Sequence, residues 1–305
     1  MKSAVVLVAH GTVDDLQDLE AFLTAIRRGH PPAPPLLAEV RRRYEAIGGK
    51  SPLGAICREV AEKLEARLDA PVRAAMRLWK PYPSEVLAAL LEEGIERVVV
   101  LPLAQHSAHV YGEAVLAAAD ELAEAGRGFL HVTCAKNWGR EPALTRAYAD
   151  EIKRALREMP EEARGASRIL MTAHSLPIAA VRSGDPYEVE VRASAAAIEN
   201  EVGPVASDVQ IAFQSQGMGG GEWLGPDLVT ALDAARDAGK KHILVAPIGF
   251  LADHVEILYD LDIEAQALAR ERGLSLVRTR SLNAGDGLLD ALENVARPLL
   301  AETPG

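Results

Sequence analysis

Residues 253–264 read Asp-His-Val-Glu-Ile-Leu-Tyr-Asp-Leu-Asp-Ile-Glu, with five carboxylates, one histidine and neither lysine nor arginine. Like charges at i,i+4 cost a helix about 0.2–0.5 kcal/mol per pair, and a merely solvated face would interleave bases. The helix dipole relieves only its first turn. A helix starting near Asp253, a good N-cap residue, would place Glu256, Asp260 and Glu264 on one face and Leu258, Leu261, Ala265 and Leu268 on the other. A line of carboxylates beginning beside His254 suits the passage of a divalent cation. Carboxylate and imidazole together are reasonable ligands for Fe²⁺ or its first-row neighbours. The alternative is an ordinary amphipathic helix with a wet acidic side.

A second stretch, Thr172-Ala173-His174-Ser175-Leu176-Pro177, sets a histidine at the end of an apolar run, and Gly184-Asp185-Pro186-Tyr187 then marks a turn. A third, from Gln214-Ser215 through Gly217-Met218-Gly219-Gly220-Gly221 to Trp223-Leu224-Gly225-Pro226, is rich in glycine. It lacks the Gly-Lys-Ser/Thr of a phosphate loop, so nucleotide binding is not its reading. Ser175 beside His174 lacks the Gly-x-Ser-x-Gly elbow of a serine hydrolase. Cys57 and Cys134 are the only cysteines. They exclude a disulfide framework and a self-contained four-cysteine zinc or iron–sulfur site, and read as buried small residues.

The elements that position these groups are short Val/Ile/Leu runs alternating with longer amphipathic segments. Val5-Val6-Leu7-Val8, Val98-Val99-Val100-Leu101, Ile169-Leu170-Met171 and Ile243-Leu244-Val245 read as buried parallel strands. Helical stretches at 56–68, 114–122 and 144–157 lie between them. The pattern is α/β and doubly wound. It also repeats: Val6-Leu7-Val8-Ala9-His10-Gly11 parallels Leu170-Met171-Thr172-Ala173-His174-Ser175, and Val99-Val100-Leu101-Pro102-Leu103 parallels Leu244-Val245-Ala246-Pro247-Ile248. Two similar Rossmann-like lobes flanking a cleft are expected, 1–150 and 151–305. The surplus length of the first is assigned to an insertion within 14–52, around the irregular Arg27–Pro35. Ligands of doubly wound sheets sit beyond the carboxyl ends of strands. His10, His106, His174 and His254 all fall there, although each alone reads as readily as a hydrogen-bonded structural histidine.

Size and charge narrow the class. The chain has 305 residues, 49% of them hydrophobic, enough for two domains with full cores. A net charge of −11 argues against nucleic acid or anionic membrane as a partner. No stretch approaches the roughly 18 apolar residues that span a bilayer. The start, Met1-Lys2-Ser3 followed by six apolar residues, reads as a first strand and not as a signal segment. A cytoplasmic protein without an integral membrane segment is expected.

Taken together, the Thr172–Pro177 and Gly184–Tyr187 stretches, Gln214-Ser215…Trp223-Leu224-Gly225-Pro226, and Pro247-Ile248-Gly249-Phe250…Asp253-His254-Val255-Glu256…Leu258-Tyr259-Asp260 resemble the ferrochelatase family in order and spacing. The resemblance covers nearly the whole chain. Ile26-Arg27-Arg28-Gly29 and Arg43–Leu53 look like the compact coproporphyrin III enzymes of Gram-positive bacteria, without the longer hydrophobic lip of protoporphyrin users. Two departures bear on the tetrapyrrole. His10 stands where a tyrosine is usual, so that Ala9-His10-Gly11-Thr12 resembles the sirohydrochlorin chelatases, and Leu101–His109 differs from the usual pattern.

The resemblance implies a chelatase-like fold and a lyase of haem biosynthesis that inserts Fe²⁺ into a porphyrin and releases two protons. His174 and Glu256 are the implied metal and proton-transfer residues, with Asp260 and Glu264 leading outward. A neutral imidazole is a fitting proton acceptor near neutral pH, and His174 is assigned that part; which of the pair takes metal first stays open. Arg27, Arg28, Ser51 and Lys80 match family positions for porphyrin carboxylates, and Trp223 and Tyr187 are candidates to line the cleft beside the porphyrin. Arg27 and Arg28 read equally as closers of a helix C-terminus, Trp223 and Tyr187 as core. His10 reads as a donor on the opposite ring face or as a turn histidine. No prosthetic group and no [2Fe–2S] cluster is expected, iron being a substrate. Transient contact with other haem-pathway enzymes would follow. The alternatives are protoporphyrin IX as substrate, sirohydrochlorin iron or cobalt chelation, and a non-enzymatic haem or tetrapyrrole carrier.

Overall fold

The four branched apolar runs become the inner strands of two sheets. A computed structural model of the chain describes residues 1–205, 208–217 and 221–302. β1 (Ser3–Ala9), β2 (Val72–Met76), β3 (Arg97–Pro102) and β4 (His131–Cys134) form a parallel sheet in the order β2-β1-β3-β4. β5 (Ser167–His174), β6 (Val209–Gln214), β7 (His242–Ala246) and β8 (Ser275–Arg278) form a second, β6-β5-β7-β8, with the same topology. The fold is α/β, as expected from the sequence. The inner strands are nearly continuous in burial because helices cover both faces, whereas the edge strands carry half-buried positions and, in β4 and β8, exposed ones. Among the described residues no helix is long and apolar enough to cross a membrane.

The echo between the halves extends past the strands. After β2 the chain turns through a cis Lys80–Pro81 bond, and the Pro81 carbonyl accepts the Met76 N–H at 2.8 Å. After β6 it turns through a cis Gly225–Pro226 bond, and the Pro226 carbonyl accepts the Phe213 N–H at 2.8 Å. The segment assigned to the insertion, between β1 and β2, forms a 3₁₀ turn Leu16–Asp18 and two α-helices, Leu19–Ile26 and Pro34–Ala46, ahead of a third, Leu53–Glu65.

By its contacts the chain forms one unit of Met1–Trp138 with Asn283–Gly305, and another of Gly139–Leu282. This differs from a split at 150/151. Helix Pro142–Glu158 packs on Tyr187–Val202 and β7 in the second unit. The last helix, Asp286–Ala301, returns to the first unit, where it packs on β3 and helix Leu53–Glu65. There Arg67 reaches Asp286 and Asp290, each at 2.6 Å, and the Arg97 guanidinium donates to the Leu299 and Leu300 carbonyls.

Candidate active site

The second unit brings three of the singled-out side chains together at the ends of its two inner strands, where the strand order reverses. His174 is the last residue of β5, and His254 and Glu256 follow β7. His174 Nε2 lies 3.5 Å from Glu256 Oε1, and His254 Nε2 lies 3.7 Å from Glu256 Oε2. One carboxylate thus sits between two imidazoles. Both rings are oriented from behind. His174 Nδ1 is 2.6 Å from the Ser175 carbonyl and His254 Nδ1 is 3.0 Å from the Ala252 carbonyl. A carbonyl only accepts, so each Nδ1 carries the proton and each Nε2 turns to Glu256.

Packing beneath the pair explains the surrounding motifs. Gly249 donates its N–H to the Thr172 carbonyl at 2.9 Å, and a Cβ there would lie 2.6 Å from Ala173 Cα. Only glycine lets the loop after β7 cross β5 so closely. Asp185 Oδ1 accepts the Tyr187 N–H, and the Tyr187 hydroxyl donates to the His174 carbonyl at 2.9 Å. Tyr187 is buried with Val191, Phe213 and Leu224, so it is a core residue whose polar tip fixes His174. Trp223 is half-buried, bridged to Pro177, with its ring over Gly217. Met218, Gly219 and Gly220 of the glycine-rich stretch lie outside the described residues.

The acidic helix differs from the expected one. Asp253 is not its N-cap; His254 holds that place, ahead of a short helix Val255–Leu258. A π-helical segment, Asp260–Ala265, follows, with Glu264 N–H bonded to the Tyr259 carbonyl five residues back, and then α-helix Gln266–Glu271. The cause lies in the buried row. Ile257, Leu261, Ala265 and Ala269 all enter the core, a four-residue repeat that drifts by ~40° per step in an ideal α-helix. The wider π turn absorbs that drift. Along the neighbouring row, Glu256 is half-buried, Asp260 is buried and Glu264 is exposed.

These acids do not form one ligand set with His174. Asp260 Oδ2 accepts the Ser215 hydroxyl at 2.5 Å, Asp262 pairs with Arg278, and Glu264 faces solvent. Among the described residues no group of three or more His, Cys, Asp or Glu side chains is arranged to hold a metal ion. Both imidazole Nε2 atoms point at the Glu256 carboxylate oxygens. Burial alone would push the His174 imidazolium down, but the Glu256 carboxylate beside it, with the Ser175 carbonyl and Asp260, holds its pKa up at about 9. Burial would raise Glu256; the two imidazoles override it and hold the carboxyl well below its usual range. At neutral pH His174 therefore rests as an imidazolium, not as the neutral base expected from its unperturbed pKa.

The first unit holds the other expected contacts. His10 follows β1 and is exposed; its Nδ1 lies 3.2 Å from the Tyr111 hydroxyl, whose ring carries the Arg77 guanidinium at 5.8 Å. Gly11, at φ +117°, permits the close pass beside the Trp79 backbone. His106 is buried, and burial pushes its pKa down to about 4, so it is a neutral core histidine. Arg27 and Arg28 stand exposed at the end of helix Leu19–Ile26, their N–H groups closing it on Leu23 and Ala25. Lys80 is exposed, with Nζ 5.7 Å from the Trp79 ring centre. Ser51 is buried, and its Oγ accepts the Leu53 N–H at 3.3 Å, one residue ahead of Pro52, the N-cap of helix Leu53–Glu65.

Sequence reasoning missed four supporting residues. Ser215 lay inside a noted motif without an assigned part. Tyr148, donating to the Phe250 carbonyl at 3.0 Å, and Arg278 and Ser281, bonded around Asp253, carry no local signal.

Two matched parallel sheets with an imidazole–carboxylate cluster beyond the strand ends define a chelatase-like α/β protein. The same fold is seen in SirB from Bacillus subtilis with Fe³⁺, at TM-score 0.61 and 16% identity over 99% of this chain and 96% of that one. The ferrochelatase family model matches residues 2–299, and the chain belongs to the ferrochelatase family. It is 34% identical over 300 residues to the ferrochelatase of Herpetosiphon aurantiacus, covering 96% of this chain and 98% of that protein. It is 35% identical over 300 residues to the coproporphyrin III ferrochelatase of Anoxybacillus flavithermus, covering 95% and 94%.

Proposed function

We propose that the chain inserts ferrous iron into a porphyrin, coproporphyrin III before protoporphyrin IX, in haem biosynthesis, with the cytoplasm as its compartment. The observation that carries the reading is the convergence of His174 and His254 on Glu256 at the reversal point of the second sheet. Insertion requires two pyrrole protons to leave, the ion to lose water and the ring to pucker. His174, its Nδ1 committed to Ser175, acts through Nε2 alone. Its proton must go before that nitrogen meets a cation or takes a pyrrole proton. Glu256 is anionic and takes part in holding the arriving ion or in receiving the proton. Asp260 and then Glu264 continue the acidic row to solvent. Coproporphyrin III has more carboxylates than protoporphyrin IX, and the exposed cations Arg27, Arg28 and Lys80 are the proposed partners for them. His10 is the proposed donor on the opposite ring face and Trp223 a wall of the ring site. Ser51 is proposed as a further donor to a porphyrin carboxylate.

No iron–sulfur cluster enters the proposal. Burial pushes the Cys57 thiol up to about 12 and the Cys134 thiol up to about 11, which keeps both protonated.

The test is a parallel anaerobic Fe²⁺ assay with coproporphyrin III, protoporphyrin IX and sirohydrochlorin, on the wild type and on His174→Ala. Fast metallation of coproporphyrin III, lost in the variant while porphyrin fluorescence titrations stay unchanged, is expected. Preference for sirohydrochlorin, binding without metallation, or normal turnover by the variant would each overturn the reading.

A further inference from the structure

Residues 253–262 contain four carboxylates and neither lysine nor arginine, and the segment carries both His254 and Glu256. Its counter-charge comes from the end of edge strand β8. Arg278 Nε and Nη2 meet the two Asp262 carboxylate oxygens at 2.6 and 2.8 Å, a bidentate pair. Its Nη1 donates to the Thr279 carbonyl at 3.0 Å and to Ser281 Oγ at 3.3 Å, and lies 3.4 Å from Asp253 Oδ1. Ser281 in turn donates to Asp253 Oδ1 at 2.6 Å. Asp253 directly precedes His254, and Asp262 lies in the π-helical segment. One guanidinium therefore ties both ends of the stretch that presents the acid to His174.

We propose that Arg278 is a positioning residue for metal insertion: by holding Asp253 and Asp262 together it fixes His254 and Glu256 against His174. The inference rests on the function proposed above. The Arg278 side chain is only 14% exposed, and a guanidinium taken from water is costly unless its geometry is well matched. Here the planar fork meets one carboxylate with two parallel bonds, which a lysine cannot do. A π turn is a rare arrangement, and Arg278 holds this one at Asp262, its third residue. A displacement of about 1 Å in a reacting group costs on the order of 100-fold in rate, so loosening either tie reaches the chemistry without touching it.

The experiment compares wild type with Asp262→Asn, Arg278→Gln, Arg278→Lys, the Asp262→Asn/Arg278→Gln double variant and Glu256→Gln. It measures metal and porphyrin kinetics, thermal melting and backbone hydrogen exchange. Asp262→Asn keeps size and shape at an exposed site, so it reads the tie even where Arg278→Gln fails to fold. Expected are a fall of about 10- to 100-fold in kcat/KM for the metal, a porphyrin KM changed less than about twofold, and faster exchange at 255–265 with the strands unchanged. Arg278→Lys should fall between Arg278→Gln and wild type, and the double variant should be no worse than either single one. Wild-type exchange and kinetics in folded Asp262→Asn overturn the proposal. Faster exchange with unchanged kcat/KM also overturns it, leaving Arg278 a structural tie. Full activity in Glu256→Gln would instead sink the proposed function, and the exchange data would still show whether Arg278 holds the segment.

Discussion

Ser215 donates its hydroxyl to Asp260 Oδ2 at 2.5 Å, from the residue just past β6 to the first residue of the π-helical segment. Beside it, the Gln214 amide donates to the Glu256 carbonyl at 3.1 Å. Ser215 holds φ at +60°, a left-handed conformation that costs a non-glycine residue energy. The strand end is thus strained to reach the acidic row, and it meets that row at two successive residues.

Ser215→Ala removes a donor to a carboxylate that is only 5% exposed. A hydrogen bond to a charged group is worth roughly 1.5–3 kcal/mol, so the variant should lose about that much stability. Ser215→Gly relieves the backbone while removing the same bond and should lose less. Chemical unfolding of the three proteins checks the order. Equal stability of wild type and Ser215→Ala would mean that the contact carries no net energy.

The pH dependence follows from the ion pair. His174 is raised from 6.5 to about 9, so its stabilising share is complete below about 6.5 and lost as pH climbs through about 9. Glu256 is lowered well below 4.5, so its share is complete above about 4.5 and lost on acidification. A cation must displace the His174 proton. Between about pH 6 and about pH 8, kcat/KM for the metal should therefore rise about tenfold per unit. Initial rates at subsaturating Co²⁺ give the slope, and a flat profile would show that no such proton stands in the way.

Tyr187→Phe isolates how His174 is held, since the ring stays in the core and only the hydroxyl on the His174 carbonyl is lost. A stability loss of about 1 kcal/mol is expected from one neutral hydrogen bond. A lower kcat with an unaltered porphyrin KM should accompany it. An unchanged kcat would confine Tyr187 to the core.

How much was legible in the sequence depended on burial and on distance along the chain. The inner strands β1, β3, β5 and β7 could be read because both faces are covered, leaving uninterrupted Val/Ile/Leu runs. The edge strands β2, β4, β6 and β8 could not: Val-Arg-Ala-Ala-Met, His-Val-Thr-Cys, Val-Gln-Ile-Ala-Phe-Gln and Ser-Leu-Val-Arg each include half-buried or exposed positions and polar residues. His174 stood out because strand ends are where such sheets bind, and Glu256 because it lies in a run of carboxylates with no lysine or arginine. The π turn was hidden because the acidic four-residue spacing passes for a helix face. The clue was the matching spacing of Ile257, Leu261, Ala265 and Ala269. Ser215 and Arg278 reach the site from remote strands, and local periodicity carries no sign of such contacts. The shift of His174 was equally hidden, since it needs Glu256 at 3.5 Å.

The outward acidic row makes a prediction that separates delivery from chemistry. Asp260 is buried and bonded to Ser215, whereas Glu264 is exposed. If the row draws cations inward, Glu264→Gln acts only through its field. The metal KM should rise on the order of two- to fivefold at low salt, with kcat and porphyrin binding unchanged. Because exposed charges are screened within about 8 Å at physiological ionic strength, the effect should fade as salt is added. Asp260→Asn should differ in kind: it weakens the Ser215 contact and one of the charges that hold up His174, so kcat should change and salt should not restore it. Steady-state titrations of both variants across ionic strength distinguish the two behaviours. A salt-independent effect at Glu264, or none at low salt, would remove that residue from the cation's route.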